Sequence, residues 1–329
     1  MEIEFCELQF SESRGDKWDH RRPRDIAFFS NYEFKADCKD NISSAVPPEI
    51  DPVTKKYRVA IEDIAGLLEA KAAIFEAVVF PLKYPNLFNS RLAAPPRGVL
   101  LYGPPGTGKT MLAKWVACCS GSTFYSLSAA SIMSKWIGES EKSVRAVFET
   151  ARINQPSVIF IDEIDCILGK RSESDHEATR RLKNEFLVSL DGVDTDFRDH
   201  IVVIGATNIP GEIDEAALRR FAKKIYIPLP CAKTRRELIH RELVVYARES
   251  NTEWNSFSDM EWVEIVGATD GYSGSDIKCV LQEAVMVSLR QVISGIITSI
   301  RPVDIHDIRD ALNSFRPKCV QGDSDRFET

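Results

Sequence analysis

From Val59 to about residue 230, short apolar runs take turns with longer stretches of helical period. The runs RGVLLYG (97–103), STFYSLSA (122–129), SVIFIDEI (157–164), HIVVIGATN (200–208) and KKIYIPLP (223–230) each predict a strand, RGVLLYG and SVIFIDEI buried ones. Between them, TMLAKWVACC (110–119), EKSVRAVFETARI (141–153) and HEATRRLKNEFLVSLDGV (176–193) carry apolar residues at the spacing of a helix with one buried face. A further helical pattern covers Glu69–Val79 and is expected to stop at Pro81, whose ring and missing N–H break a helix interior. Strands alternating with helices predict an α/β fold, a parallel sheet with helices on both faces.

After Pro230 the apolar runs cease. TRRELIHRELVVYA (234–247), MEWVEIVGAT (260–269), GSDIKCVLQEAVMVSLRQVI (274–293) and VDIHDIRDALNSF (303–315) all have helical period. The chain therefore divides into a large α/β subdomain over 59–229 and a small all-helical subdomain over 230–318. Residues 1–58 have weak periodicity and dense turn residues, and are expected to be extended or disordered. The tail, 319–329, is expected to be disordered.

Composition narrows the function classes. Of 329 residues, 44% are apolar and 28% charged, enough for a sizeable core and against wholesale disorder. The formal charge of −7 argues against coating nucleic acid through bulk positive charge, so no nucleic-acid partner is expected. Residues 1–55 hold 8 Lys and Arg against 12 Asp and Glu, so the basic patch Arg21–Arg24 is read as solvated charge. The eight cysteines form no C-x-x-C pair and the five histidines are scattered, which points to reduced thiols rather than a structural metal site. A cytoplasmic, cytoskeleton-associated or nuclear protein is expected. No run of 18 apolar residues exists, so no transmembrane segment is expected.

The candidate chemistry begins at Gly103-Pro104-Pro105-Gly106-Thr107-Gly108-Lys109-Thr110, followed by Met111. This is G-x-x-x-x-G-K-[ST] between a predicted strand and helix. Its glycines let backbone N–H groups close around phosphate oxygens, and the helix start adds partial positive charge. Lys109 can reach the β- and γ-phosphates of ATP, and Thr110 can offer its hydroxyl to Mg²⁺. The run 158–161 feeds Asp162 and Glu163 at a strand end, where a parallel sheet places its ligands. Asp162 would hold Mg²⁺ through water, and Glu163 would act as general base on the attacking water. Asn208, at a third strand end, could hold that water or the γ-phosphate, or could cap the turn before Pro210.

With these motifs placed, residues 59–318 resemble the AAA family of ATPases, a P-loop NTPase sheet followed by a helical domain. Asp63-Ile64-Ala65-Gly66 is similar to the family's adenine-contacting segment, and Gly271 to Asp276, with Gly274 and Ser275, to its helical-domain turn near adenine and ribose. Asp214 to Phe221 resembles the second region of homology, so Arg219 and Arg220 align with the arginines that reach a neighbour's γ-phosphate; two solvated arginines are the alternative. Ser134 to Glu139, His176-Glu177-Ala178, Arg180 to Leu187 and Tyr226 to Pro230 resemble the meiotic clade, which includes the spastin-, fidgetin- and katanin-type microtubule-severing enzymes. The resemblance implies an ATP-hydrolysing motor that pulls a protein through a ring pore, most simply tubulin tails. ESCRT-filament disassembly, membrane-protein extraction and a regulatory subunit of a mixed ring are alternatives. It implies a homo-hexamer or a mixed ring. Lys135, Trp136 and Ile137 align with the loop that grips a threaded polypeptide, although a Trp packed at a domain edge is an alternative. Arg171 and His176 occupy the second pore loop's position, where a solvated charged loop is the alternative. The clade's N-terminal microtubule-interacting domain and the helix after Arg316-Pro317 are not recognised, which implies weak or partner-dependent oligomerisation.

Overall fold

The computed structural model describes residues 59, 61–88, 90, 92–129, 140–170, 177–194, 200–254 and 256–315. Among the described residues five strands form one sheet: β1 Gly98–Tyr102, β2 Thr123–Ser128, β3 Ser157–Asp162, β4 Ile201–Thr207 and β5 Lys223–Tyr226. Their order is β2-β3-β4-β1-β5 and every pairing is parallel. All five carboxyl ends therefore lie along one rim, where the loops that bind ligands emerge.

Side chains alternate across this sheet, as the two-residue period of a strand demands. Leu100, Ile159, Ile161, Ile201 and Val203 pack on one face with α4 (Ser140–Ile153) and α6 (Glu177–Asp194). Val99, Leu101, Val158, Phe160, Val202 and Ile204, all buried, turn to the other face, which α3 (Lys109–Ser120) covers. Trp115 of α3 lies 6.1 Å from Phe75 in the helical segment that precedes β1.

That segment differs from the expected helix ending at Pro81. Helix α1, Leu68–Ile74, runs into a π-turn over Phe75–Val79 and continues as α2, Phe80–Lys83, with Pro81 inside it. The π-turn shifts the hydrogen bonding, with Phe80 N–H donating to Phe75 C=O five residues back. Pro81 then stands in the first turn of a new helical piece, where a missing N–H is tolerated. Short helices α5 (Asp165–Leu168) and α7 (Glu215–Arg220) follow β3 and precede β5.

After β5 come α8 Ala232–Glu249, α9 Asp259–Ala268, α10 Gly274–Ile293 and α11 Ile305–Ser314. They enclose a second apolar core around Leu243, Trp262, Ile277, Leu281 and Ile308. Capping boxes at Ser258, Ser273 and Asp304 start the last three, each satisfying two backbone donors at the helix entrance. Among the described residues no helix is long and apolar enough to cross a membrane.

Candidate active site

The loop between β1 and α3 opens on the carboxyl rim. Lys109, 7% exposed, donates from Nζ to the carbonyls of Gly103 and Pro104, both at 2.8 Å. Thr107 Oγ1 also donates to Pro104 C=O, at 2.9 Å. The carbonyls are thus held by the loop's own side chains. Gly108 has φ +96° at the entrance of α3, a conformation that disfavours any Cβ, although nothing lies within 4 Å of the place a Cβ would take.

Beside the loop, Thr110 Oγ1 donates to Asp162 Oδ2 at 3.0 Å, joining the first turn of α3 to the end of β3. The other oxygen, Oδ1, accepts from Glu163 N–H at 3.1 Å. Glu163 has φ +53°, left-handed backbone in a residue with a side chain. The turn is held from behind: Ile164 N–H donates to Ala206 C=O at 3.0 Å, and Thr207 Oγ1 donates to Asp165 Oδ1 at 2.6 Å. These bonds tie together the exits of β3 and β4, the positions from which Glu163 and Asn208 project.

The helical subdomain closes over the loop. Ser275 N–H, at the start of α10, donates to Gly106 C=O at 3.1 Å. Gly106 has φ +74°, and a Cβ there would lie 2.6 Å from Ser273 Oγ and 2.8 Å from Ser275 Cβ. Ser273 is committed elsewhere: its Oγ donates to Asp276 Oδ2 at 2.7 Å and accepts from Asp276 N–H at 3.2 Å.

Asp63, Ala65, Pro105 to Met111, Asp162, Glu163, Asn208, Gly274 and Ser275 line one cleft of about 1420 Å³. Gly103 and Pro104 stand behind it as acceptors for Lys109. Sequence reasoning missed Cys231 and Thr234, which line the same cleft from the entrance of α8. Hydrogen bonding with the Thr234 hydroxyl and backbone lowers the Cys231 thiol's pKa, whereas burial, with Asp165 and Glu163 nearby, raises that of Cys166. A cysteine three residues before a helical pattern was the available signal.

Arg219 and Arg220 are not among the lining residues. They end α7, and a Cβ on Gly98 would lie 2.6 Å from the Arg220 carbonyl oxygen. Gly98 begins β1, whereas the phosphate-type loop follows its end. Five residues at about 3.3 Å each put the two ends about 13 Å or more apart. Arg220 binds Asp191 of α6 with both arms of its guanidinium, Nε to Oδ1 at 2.7 Å and Nη2 to Oδ2 at 2.8 Å. Its Nη1 donates to Ala216 C=O at 2.7 Å. The side chain of Arg219 is 82% exposed. Lys135, Trp136, Ile137, Arg171 and His176 lie outside the described residues.

The arrangement can bind phosphates, place a carboxylate beside them and present the Arg219 cation on another surface, next to an Arg220 held by Asp191. Residues 99–229 match the ATPase family associated with various cellular activities (AAA), and residues 259–301 match the AAA+ lid domain. Fidgetin-like protein 1 of Xenopus laevis is 47% identical over 272 residues, 81% of this chain and 40% of that protein. The chain thus spans less than half of that relative's length. A crystal structure of the FIGL-1 AAA domain in complex with ADP matches with a TM-score of 0.71 at 44% identity, over 81% of this chain and 87% of that one. A structure described as the structural basis for katanin self-assembly matches with a TM-score of 0.67 at 35% identity, over 82% of this chain and 89% of that one. Sheet, lid, phosphate-type loop and relatives agree, and the chain belongs to the AAA family of ATPases, homologous to fidgetin-like protein 1 and katanin.

Proposed function

We propose that the chain hydrolyses ATP in this cleft, and that Arg219 and Arg220 of an adjacent copy complete each site in a hexameric or mixed ring. The ring would remodel a protein, with microtubule severing as its task. One observation carries the reading: the phosphate-type loop and Glu163 stand on the carboxyl rim, while the arginine pair stands beside the amino end of β1. An arginine side chain extends about 7 Å, too short to cover about 13 Å of strand, so it would have to serve a neighbour.

The phosphates would lie on the N–H groups at the start of α3, where the helix dipole favours anions. Lys109 would exchange its carbonyl acceptors for phosphate oxygens, a charge-assisted and stronger bond. Thr110 and Asp162 offer a hydroxyl and a carboxylate 3.0 Å apart, a hard-oxygen pair that fits Mg²⁺. When bound, that ion supplies neutralisation of the phosphate charge. Glu163 would take a proton from water as the water oxygen bonds to the γ-phosphorus. The bond to the β–γ bridging oxygen then breaks, releasing ADP and phosphate. Asn208 would hold that water or the γ-phosphate by hydrogen bonding. The partner's arginines would meet charge on the transferring group, a contribution worth about 10³–10⁵ in rate in GTPases. Lys135, Trp136 and Ile137 would grip the substrate, with Arg171 and His176 meeting acidic tubulin tails.

The test is specific activity against concentration, with and without microtubules. Activity should rise more steeply than in proportion to protein, and Arg220→Ala mixed with Lys109→Ala should regain part of what each lacks. Constant specific activity at concentrations where sedimentation finds only monomer would overturn the shared site. Microtubules left intact by an ATPase-active preparation would overturn the severing task.

A further inference from the structure

Lys183 lies on α6, away from the cleft, and is 8% exposed. Its amine donates to Asp214 Oδ2 at 2.7 Å and to Gly169 C=O at 2.8 Å. A buried ammonium is costly unless paired and hydrogen-bonded, so removing either side of this contact would leave a buried group unsatisfied. Both acceptors belong to one small feature. Residues 168–170 and 212–214 form an antiparallel bridge: Asp214 N–H donates to Leu168 C=O at 2.9 Å, and Lys170 N–H to Glu212 C=O at 2.7 Å. One arm of the bridge leads back through α5 to Asp162 and Glu163. The other leads directly into α7.

Asp214 divides its two oxygens between α7 and α6. Oδ1 accepts from Ala216 N–H at 2.8 Å and caps α7, while Oδ2 takes Lys183. Helix α7 has six residues, too few to fix its own direction by internal bonds. Its start is gripped by Lys183 through Asp214, and its end by Asp191 through Arg220. Both grips come from α6, eight residues apart, or about 12 Å along a helix axis. The α7 axis spans about 9 Å by the same rise, so the two anchors bracket the whole helix.

We propose that Lys183 is a positioning residue for Arg219 and Arg220. It fixes the pose of α7 against the arm carrying Asp162 and Glu163, so that a subunit presents its arginines at the geometry a neighbour's nucleotide requires. This rests on the reading above that the arginines act between copies.

The test uses Lys183→Met and Asp214→Asn in the full chain. Asparagine caps a helix as well as aspartate but brings no charge to Lys183, so it probes the contact should Lys183→Met fold poorly. Each variant should bind a fluorescent ADP analogue within about twofold of wild type and lose about 10²-fold in kcat, the cost of a misplaced group far from the chemistry. The double variant should lose no more than Lys183→Met alone, since both substitutions break one contact. Lys183→Met mixed with Lys109→Ala should regain activity, because an intact pocket meets an intact pair of arginines. Mixed with Arg220→Ala it should regain none, because both lack properly presented arginines. Full kcat in Asp214→Asn, or recovery with Arg220→Ala, would overturn the assignment. Should Arg220→Ala and Lys109→Ala themselves fail to complement, the shared-site reading falls and the assignment of Lys183 with it, whereas failure of Lys183→Met alone to complement Lys109→Ala overturns only the assignment.

Discussion

The contact between Gly106 and the entrance of α10 makes a quantitative prediction, because Gly108 supplies its control. Both glycines have left-handed backbone, φ +74° and +96°. An alanine at either place therefore incurs the same kind of backbone cost, about 1–2 kcal/mol. Their surroundings differ. A Cβ at 108 meets nothing within 4 Å, whereas at 106 it would lie 2.6 Å from Ser273 Oγ. To relieve that overlap, Ser273 must leave its bonds to Asp276, losing a cap worth about 1 kcal/mol. Otherwise the lid must withdraw and give up the bond from Ser275 N–H to Gly106, about 0.5–1.5 kcal/mol. Gly106→Ala should accordingly cost about 0.5–1.5 kcal/mol more than Gly108→Ala. Urea denaturation of nucleotide-free protein, followed by tryptophan fluorescence, measures both. Ser273→Gly removes the nearest clashing atom at a cost of a few tenths of a kcal/mol. It should return part of the excess in Gly106→Ala, and only part, because Ser275 Cβ stays 2.8 Å away. Equal losses for the two alanines would refute the argument that the lid presses on this loop.

Other expectations follow from the site and the lid. Glu163→Gln keeps size and backbone but removes the base, so ATP should bind while turnover falls by about 10²-fold or more; near-normal turnover would take Glu163 out of the reaction. At neutral pH Cys231 should be alkylated faster than Cys166, and ADP should slow only the former, as peptide mass spectrometry can follow; equal rates would count against the thiol environments described. Hydrogen bonds from Ser258 hold the Glu261 carboxyl below its usual range, and Arg309 does the same for Glu264. Depressed pKa values stabilise the fold above the unfolded glutamate range and lose that contribution as pH falls through the folded values. Glu264→Gln should therefore destabilise the lid at neutral pH and converge with wild type in acid. A difference that persists below both pKa values would sink that linkage.

The inner strands β1, β3 and β4 were legible because each is a short apolar run bounded by turn residues and buried on both faces of a parallel sheet. The placement of the Gly103 to Thr110 loop and of Asp162-Glu163 at strand ends on one cleft was legible too, since an apolar run feeding a glycine-rich or acidic turn marks where a strand stops. Pro81 misled because a π-turn depends on packing against Trp115 and its neighbours, which no local pattern records. Lys183 reads as an ordinary polar position on an amphipathic helix. It is buried only because residues 168–170 and 212–214 meet over it, a contact between distant segments. The pairing of Arg220 with Asp191 is invisible for the same reason: 29 residues separate them, and only the fold makes them neighbours.

Glu163, proposed above as the general base, sits on an uncomfortable backbone. At φ +53° a glutamate is less stable than glycine or asparagine would be, by about 1 kcal/mol or more. A population of variants screened only for heat resistance should therefore drift away from glutamate here, towards residues that relax the turn. A population screened for turnover should keep it and gather compensating changes elsewhere, the bonds of Ile164 and Thr207 behind the turn being one such support already in place. Thermostable descendants of this chain selected without an activity screen would be expected to arrive catalytically silent, with the loss traceable to a single torsion angle.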